Sequence, residues 1–262
     1  MEVRNGFFIP TAVKQAWAAQ LQVLDVIETI CRKHDITYFA DWGTILGTVR
    51  HGGYVPWDDD MDICMKREDY TRFKEAAKTE LPKDFRIHDY EHQEDHWLFL
   101  SRVANSVHIN FEPEHMKQFH NFPYIAGIDI FVLDYLYKDE QQEKQRCEEV
   151  KHIIAVADSI IAGEIVQPVK EANLIQLEEK YHKTFNRKLD NRHMGIELYR
   201  LAEEQMPRVP KEESDRMAQI FPWGLLGNRG QDREYYEKFV RLPFENTTMP
   251  VPADYHRILS GK

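Results

Sequence analysis

Residues Trp57-Asp58-Asp59-Asp60-Met61-Asp62-Ile63 crowd four aspartates into a stretch that runs straight into the alternation Met61, Ile63, Met65. A period of two marks a strand, so Asp60 and Asp62 project from one face of it. Two ionised carboxylates about 4 Å apart repel by about 4 kcal/mol at an effective dielectric near 20. A fold keeps such a pair by protonating one member, by leading both to water, or by placing a cation between them. Oxygen-only ligands favour Mg²⁺ or Mn²⁺, ions that sit on one or two carboxylates together with substrate phosphates.

A third carboxylate stands in a similar setting. Asp129 is flanked by Ile128 and Ile130 in an apolar run, where an unpartnered charge would not recover its desolvation cost. If the two strands are neighbours, Asp60, Asp62 and Asp129 build a two-metal phosphoryl-transfer site, with Asp129 placed to take the proton of an attacking hydroxyl. Upstream, Gly43-Thr44-Ile45-Leu46-Gly47 opens a helix directly after a strand, which offers backbone N–H groups and a hydroxyl to a phosphate. Arg50, one turn past Gly47, adds a cationic fork for phosphate oxygens. Arg102, at a strand end, reads equally as a second phosphate contact or as a rim ion pair. Tyr38, Trp42, Tyr54 and Trp57 surround the acidic motif as core or wall, and for a cationic ligand they offer cation–π faces.

Other chemistries fit less well. Asp58, Asp60, Asp62 and Asp69 match positions of a calcium loop, but Ile63 stands where its glycine belongs and the terminal Glu is missing. His92 and His96 have helical spacing without a zinc-protease motif, and they read as a surface cluster. Neither G-x-x-x-x-G-K-[ST] nor G-x-S-x-G occurs, which removes the P-loop and α/β-hydrolase readings. The formal net charge of −10 disfavours nucleic acid, whose binders neutralise phosphates with a basic excess. Cys31, Cys64 and Cys147 are too scattered for a metal pair or a disulfide framework and suit a reducing, cytoplasmic compartment. No apolar run is long enough for a transmembrane segment, and no secretory signal is evident.

Periodicity predicts a helix over 11–34, a strand over 36–40, a short helix over 43–50, a strand over 61–65 and a helix over 66–81. Strands are expected over 85–90, 96–103, 107–111 and 124–133. After Lys138 the chain turns helical over 138–163, 167–186 and 194–204. Residues 1–137 thus read as a catalytic core and 138–262 as a mainly helical C-terminal region, with 235–252 free to return to the core as an extended strand.

The run Asp41-Trp42-Gly43-Thr44-Ile45-Leu46-Gly47-Thr48-Val49-Arg50-His51-Gly52-Gly53-Tyr54-Val55-Pro56-Trp57-Asp58-Asp59-Asp60-Met61-Asp62-Ile63 resembles the signature of the LicD family, a fukutin-related branch of the nucleotidyltransferase superfamily. Ile128–Asp134 resembles its second motif; Leu242-Pro243-Phe244-Glu245 with Pro250-Val251-Pro252 resembles its third. The resemblance implies an α/β (α+β) fold, a nucleotidyltransferase-like mixed sheet flanked by helices. It also implies transfer of phosphocholine or a related group from a CDP-linked donor such as CDP-choline. The acceptor would be a hydroxyl of a cell-surface glycan precursor of the teichoic acid or lipopolysaccharide type. Asp60, Asp62 and Asp129 fall on the family's metal-binding and catalytic carboxylates, with Mg²⁺ or Mn²⁺ as cofactor. Gly43, Thr44, Gly47 and Arg50 fall on its substrate loop, and Trp57 and Arg102 are further substrate-binding candidates. The expected location is the cytoplasm, with peripheral docking at the inner membrane face left open. Two readings stand beside this one: a nucleotidyltransferase that consumes an NTP and releases pyrophosphate, and a non-catalytic calcium-binding module.

Overall fold

A small antiparallel hairpin, β1 (Glu2–Arg4) and β2 (Phe7–Ile9), turns through Asn5 and Gly6, both at positive φ, and leads into helix α1 (Thr11–Lys33). The apolar stripe of α1 goes inward, burying Trp17, Val23, Leu24, Ile27, Ile30 and Cys31, while Arg32 and Lys33 sit in the last turn, where cations suit the helix dipole. The expected strand over 36–40 is reduced to β3 (Phe39–Ala40). Asp35 takes a positive φ and the Ile36 N–H donates back to the Cys31 carbonyl at 2.9 Å, so that backbone is spent ending the helix.

Helix α2 (Trp42–His51) follows at once and ends on Gly52 in the left-handed conformation. Then come β4 (Asp62–Lys66), α3 (Arg67–Glu80), β5 (Arg86–His88), β6 (Ser101–Ala104), α4 (Pro113–Gln118) and β7 (Gly127–Leu136). The sheet order is β3-β4-β7-β6-β5, with β4 and β7 parallel and the other pairs antiparallel. Every residue of β4 is buried, as befits a strand inside a sheet covered on both faces.

This computed structural model describes residues 2–227 and 230–261 and resolves into two units. The first comprises Met1–His88, Leu100–Leu133 and Gln231–Lys262. It therefore includes the late elements β9 (Gln231–Asp232), β10 (Phe239–Phe244), β11 (Thr247–Pro252) and α9 (Tyr255–Gly261). β10 and β11 pair antiparallel as a separate two-stranded ribbon that lies against α2 and β3. The second unit comprises Asp89–Phe99 and Asp134–Gly230.

Besides the end of β7, the second unit holds α5 (Glu140–Ile161), α6 (Gln167–Tyr181), α7 (Asn191–Glu203), β8 (Arg216–Ala218) and α8 (Ile220–Leu226). Asp139 and Asp190 cap α5 and α7 by accepting the N–H groups of Gln142 and His193. The core is built by Val150, Ile153, Ala157, Leu174, Met194 and Leu198. The result is a mixed α/β protein with a mixed central sheet. Among the described residues no helix is long and apolar enough to cross a membrane.

Other local expectations fail. The strand expected over 96–103 begins only at Ser101, and the helix expected over 167–186 ends at Tyr181. Residues 107–111 form no strand: the Ser106 hydroxyl accepts the His108 N–H at 3.1 Å and the Asn110 side chain accepts the Glu112 N–H at 2.8 Å. These local bonds offer the backbone an alternative to a ladder, and the alternating Val107, Ile109 and Phe111 are left exposed. His92 and His96 lie in a loop and do not form a surface cluster: His96 is buried edge-on to Tyr90, and His92 pairs with Asp89 at 2.7 Å.

Candidate active site

Parallel pairing of β4 with β7 sets Asp62 directly opposite Asp129. Three bonds from backbone N–H groups fix the acidic end of β4 against β7 and α2. The Asp129 N–H donates to the Met61 carbonyl at 3.1 Å, the Asp41 N–H donates to the Asp62 carbonyl at 3.0 Å, and the Asp62 N–H donates to the Thr44 hydroxyl at 2.8 Å. Thr44 is buried, and its oxygen ties the start of α2 to the start of β4.

Asp58, Asp59 and Asp60 precede β4 on a loop, with carboxylate oxygens within 4.8 Å of one another. Burial, and then a hydrogen bond shared with Asp60, push the Asp58 carboxyl up to about 6. Asp62 is pushed up to about 8, first by burial and then by the charges of Asp60, Asp129, Asp41 and Asp58. Six carboxylates, Asp41, Asp58, Asp59, Asp60, Asp62 and Asp129, thus share one electrostatic neighbourhood. Arg102 balances part of it: its Nε and Nη2 both engage Asp129, the latter at 2.7 Å, across the β6–β7 register pair Arg102–Asp129. Gly127 lies beneath this clamp, where an added Cβ would sit 2.9 Å from the Arg102 Cδ.

The donor set is carboxylate oxygen alone, and burial with mutual repulsion makes Asp58 and Asp62 hold their protons above the usual carboxylate range. That is the chemistry a hard divalent cation relieves, so the residues fit Mg²⁺ or Mn²⁺. The calcium-loop spacing is spent differently, because Asp62 begins a strand and Asp69 lies in α3 paired with Arg72.

The glycines of the first motif make room for close approaches. A Cβ on Gly43 would strike the Asp58 carboxylate, and one on Gly47 would strike the Gly53 carbonyl and meet the Val55 nitrogen at 3.1 Å. Gly43→Ala should therefore leave stability within about 1 kcal/mol of wild type, since alanine also favours the helix. By turning Asp58 aside it should weaken Mn²⁺ binding about tenfold, as measured by calorimetry. Unchanged affinity would show that Asp58 plays no part.

Arg50 is exposed; its Nε donates to His51 at 2.8 Å and its guanidinium lies 5.7 Å over the Trp57 ring. Trp57 is 62% exposed and meets Phe7 edge-on at 5.8 Å, forming an aromatic shelf that immediately precedes the acidic loop. Tyr38 and Tyr54 are buried, with the Tyr38 hydroxyl donated to Glu28, so they belong to the core. Trp42 packs 5.8 Å from Phe131.

Sequence reasoning gave Asp41 no role and gave Trp42 only that of a wall or cation–π face. Asp41 is buried at the N-cap of α2, and Trp42 is held at φ +43°, a strained value for a bulky residue. The signal available was the abrupt change from the strand pattern ending at Ala40 to the Gly43 helix start, which forces a sharp turn between them. Cys31 and Cys64 are buried and Cys147 half-buried, and none of the three is in a disulfide.

A sequence model of the family described as "LicD/FKTN/FKRP, nucleotidyltransferase domain" matches residues 35–174. The chain is 43% identical over 53 residues to the lipopolysaccharide cholinephosphotransferase LicD of Haemophilus influenzae, covering 20% of this chain and 20% of that protein. It is 39% identical over 54 residues to an uncharacterized protein of Rickettsia typhi, covering 21% of this chain and 18% of the relative. These alignments span about a fifth of the length of the curated relatives. With its acidic loop, its paired Asp62 and Asp129 and a match over more than half of its length, the chain belongs to the LicD family.

Proposed function

We infer that this protein transfers phosphocholine, or a related substituted phosphate, from a CDP-linked donor to a hydroxyl of a lipopolysaccharide-type glycan. The observation that carries the reading is the placing of Asp62 opposite Asp129 on neighbouring parallel strands, beside the Asp58–Asp60 loop. The similarity to a lipopolysaccharide cholinephosphotransferase supports the choice of transferred group and acceptor class.

Asp60, Asp62 and Asp129 would hold Mg²⁺ or Mn²⁺, with Asp58 and Asp59 close enough to share the task. When bound, the cation supplies positive charge against the phosphate oxygens of donor and leaving group. The chain's own residues do the rest. Asp129 accepts the proton of the acceptor hydroxyl as its oxygen attacks the phosphorus bearing the choline. The bond between that phosphorus and the CMP oxygen breaks in line, and CMP leaves with the electron pair. Arg102 is within reach of Asp129 and half-exposed, so it can turn one face of its fork to a donor phosphate. The exposed Trp57 ring, with Arg50 above it, offers a stacking and cationic surface for the rest of the donor.

Incubation of the protein with Mg²⁺, CDP-choline and a lipopolysaccharide acceptor should release CMP and label the glycan with choline. Release of pyrophosphate from an NTP, with no CMP from CDP-choline, would instead assign a nucleotidyltransferase reaction to the same carboxylates. Tight Ca²⁺ binding without any nucleotide affinity would assign a binding module.

A further inference from the structure

We propose that Glu245, at the tip of the β10–β11 ribbon, is a positioning residue that holds the acidic loop in place. The inference rests on the reading of that loop as the metal-binding centre, and its geometry stands within the first unit.

Phe244 pairs with Thr247, so Glu245 and Asn246 form a two-residue turn, and Glu245 takes φ +51°. Turns of this kind favour glycine, asparagine or aspartate, so glutamate here is a choice made for its side chain. That side chain is fully used. Both carboxylate oxygens accept from Arg4 of β1, one of them at 2.9 Å, and Oε1 also accepts the Tyr54 N–H at 3.1 Å. The Glu245 N–H donates to the Gly52 carbonyl at 2.8 Å. The carboxylate rests so closely on Gly53 that an added Cβ would sit 2.8 Å from the Glu245 Cδ. On its other side Gly53 presses its carbonyl against Gly47. The turn 52–54 is therefore clamped between α2 and the ribbon tip.

From this turn the restraint runs to the carboxylates through α1. The Tyr54 ring stacks on Trp17 at 4.7 Å and 1°, and its hydroxyl donates to the Gln20 side chain at 2.9 Å. The same two residues hold the acidic loop: the Trp17 indole N–H donates to the Asp58 carbonyl and the Gln20 amide to the Asp59 carbonyl, each at 2.9 Å. Arg4 closes the circuit with its guanidinium 5.3 Å over the Trp17 ring. Residues separated by 241 positions thus fix the backbone from which Asp58, Asp59 and Asp60 are presented. A carboxylate cluster needs such support, because mutual repulsion would otherwise splay the loop.

The test compares Glu245→Ala and Arg4→Gln with Arg241→Ala in the full chain. Arg241 bonds Thr248 across the same ribbon and pairs with Glu28 of α1, and none of these bonds reaches 52–60, so its loss loosens the ribbon without removing a bond to the loop. Amide hydrogen exchange over 53–60 should quicken about tenfold in both Glu245→Ala and Arg4→Gln while β4 and β7 stay protected, and Arg241→Ala should leave 53–60 as in wild type. Mn²⁺ affinity should fall about tenfold in the same two variants and recover with Glu245→Gln, which keeps an acceptor for the Tyr54 N–H. Unchanged exchange at 53–60 in Glu245→Ala and Arg4→Gln, or an equal rise in Arg241→Ala, would overturn the proposal. Should Glu245→Ala fail to fold, Arg4→Gln decides it. If wild type binds no Mn²⁺, the metal reading of the loop fails, while the exchange data still decide what Glu245 does.

Discussion

Asp62→Asn should abolish transfer and at the same time stabilise the cation-free protein at pH 8. Both effects come from the crowding of carboxylates around β4. In the unfolded chain Asp62 ionises near its ordinary value of 3.8, whereas in the fold it keeps its proton up to about 8 because it is buried and faces Asp60, Asp129, Asp41 and Asp58. Between those values the folded state binds the extra proton, so stability falls as pH rises, by about 1.4 kcal/mol for each pH unit. Asp58, pushed up to about 6, adds a decline of the same sign over the lower part of that window.

Asparagine has the same shape and cannot ionise, so it removes the Asp62 part of the decline. At pH 8 the variant should melt about 5–10 °C above wild type without divalent cation. Mg²⁺ should reverse the order, because a cation favours the ionised carboxylate that only wild type has. The loss of a carboxylate proposed to hold the cation should lower kcat about 1,000-fold or more. Melting curves from pH 4 to pH 9, with and without Mg²⁺, read all of this. A wild-type and an Asp62→Asn curve that decline in parallel would mean that Asp62 carries no such burden.

Much of this architecture was legible because it depends on patterns that short windows contain. The alternation from Met61 to Met65, the helical stripe through Trp17, Leu24, Ile27 and Cys31, and the apolar run around Asp129 each report one element and the face it buries. The mixed α/β class follows from those elements. Where local side-chain bonds competed, pattern misled: Val107, Ile109 and Phe111 alternate as a strand would, yet Ser106 and Asn110 fold their backbone into turns. Long-range partners were not legible at all. Nothing in the spacing of Trp17 and Gln20 says that they hold the carbonyls of Asp58 and Asp59, because on α1 they look like any buried pair one turn apart. Arg102 reads equally well as a phosphate contact or an ion pair until the β6–β7 register places it across from Asp129. Asp58 and Asp59 have no role that the sequence assigns until Gly43 and α1 are seen to make a seat for them.

Asp129→Asn should lower kcat for transfer about 100- to 10,000-fold, the usual cost of removing a proton acceptor, with the KM for donor changed only a few-fold. Arg102→Ala should divide the other way, with a donor KM raised about tenfold or more and a smaller fall in kcat, if its guanidinium meets a donor phosphate. The two residues are also partners, and that makes their joint removal informative. In Arg102→Ala, Asp129 loses its bidentate donor while it remains opposite Asp62, so the single variant should be less stable than wild type. In the Asp129→Asn background Arg102 has no carboxylate left to balance, and deleting it should cost little further stability. The melting-temperature losses of the two single changes should therefore sum to more than the loss in the double variant. Mg²⁺ sharpens the comparison: a cation shared by Asp62 and Asp129 takes over part of the balancing that Arg102 performs, so Arg102→Ala should recover more stability on Mg²⁺ addition than wild type gains. Strict additivity with and without Mg²⁺ would show that Arg102 and Asp129 act independently. Equal kcat losses in both single variants would remove the division between proton acceptance and phosphate binding, and would place both side chains on the transition state alone.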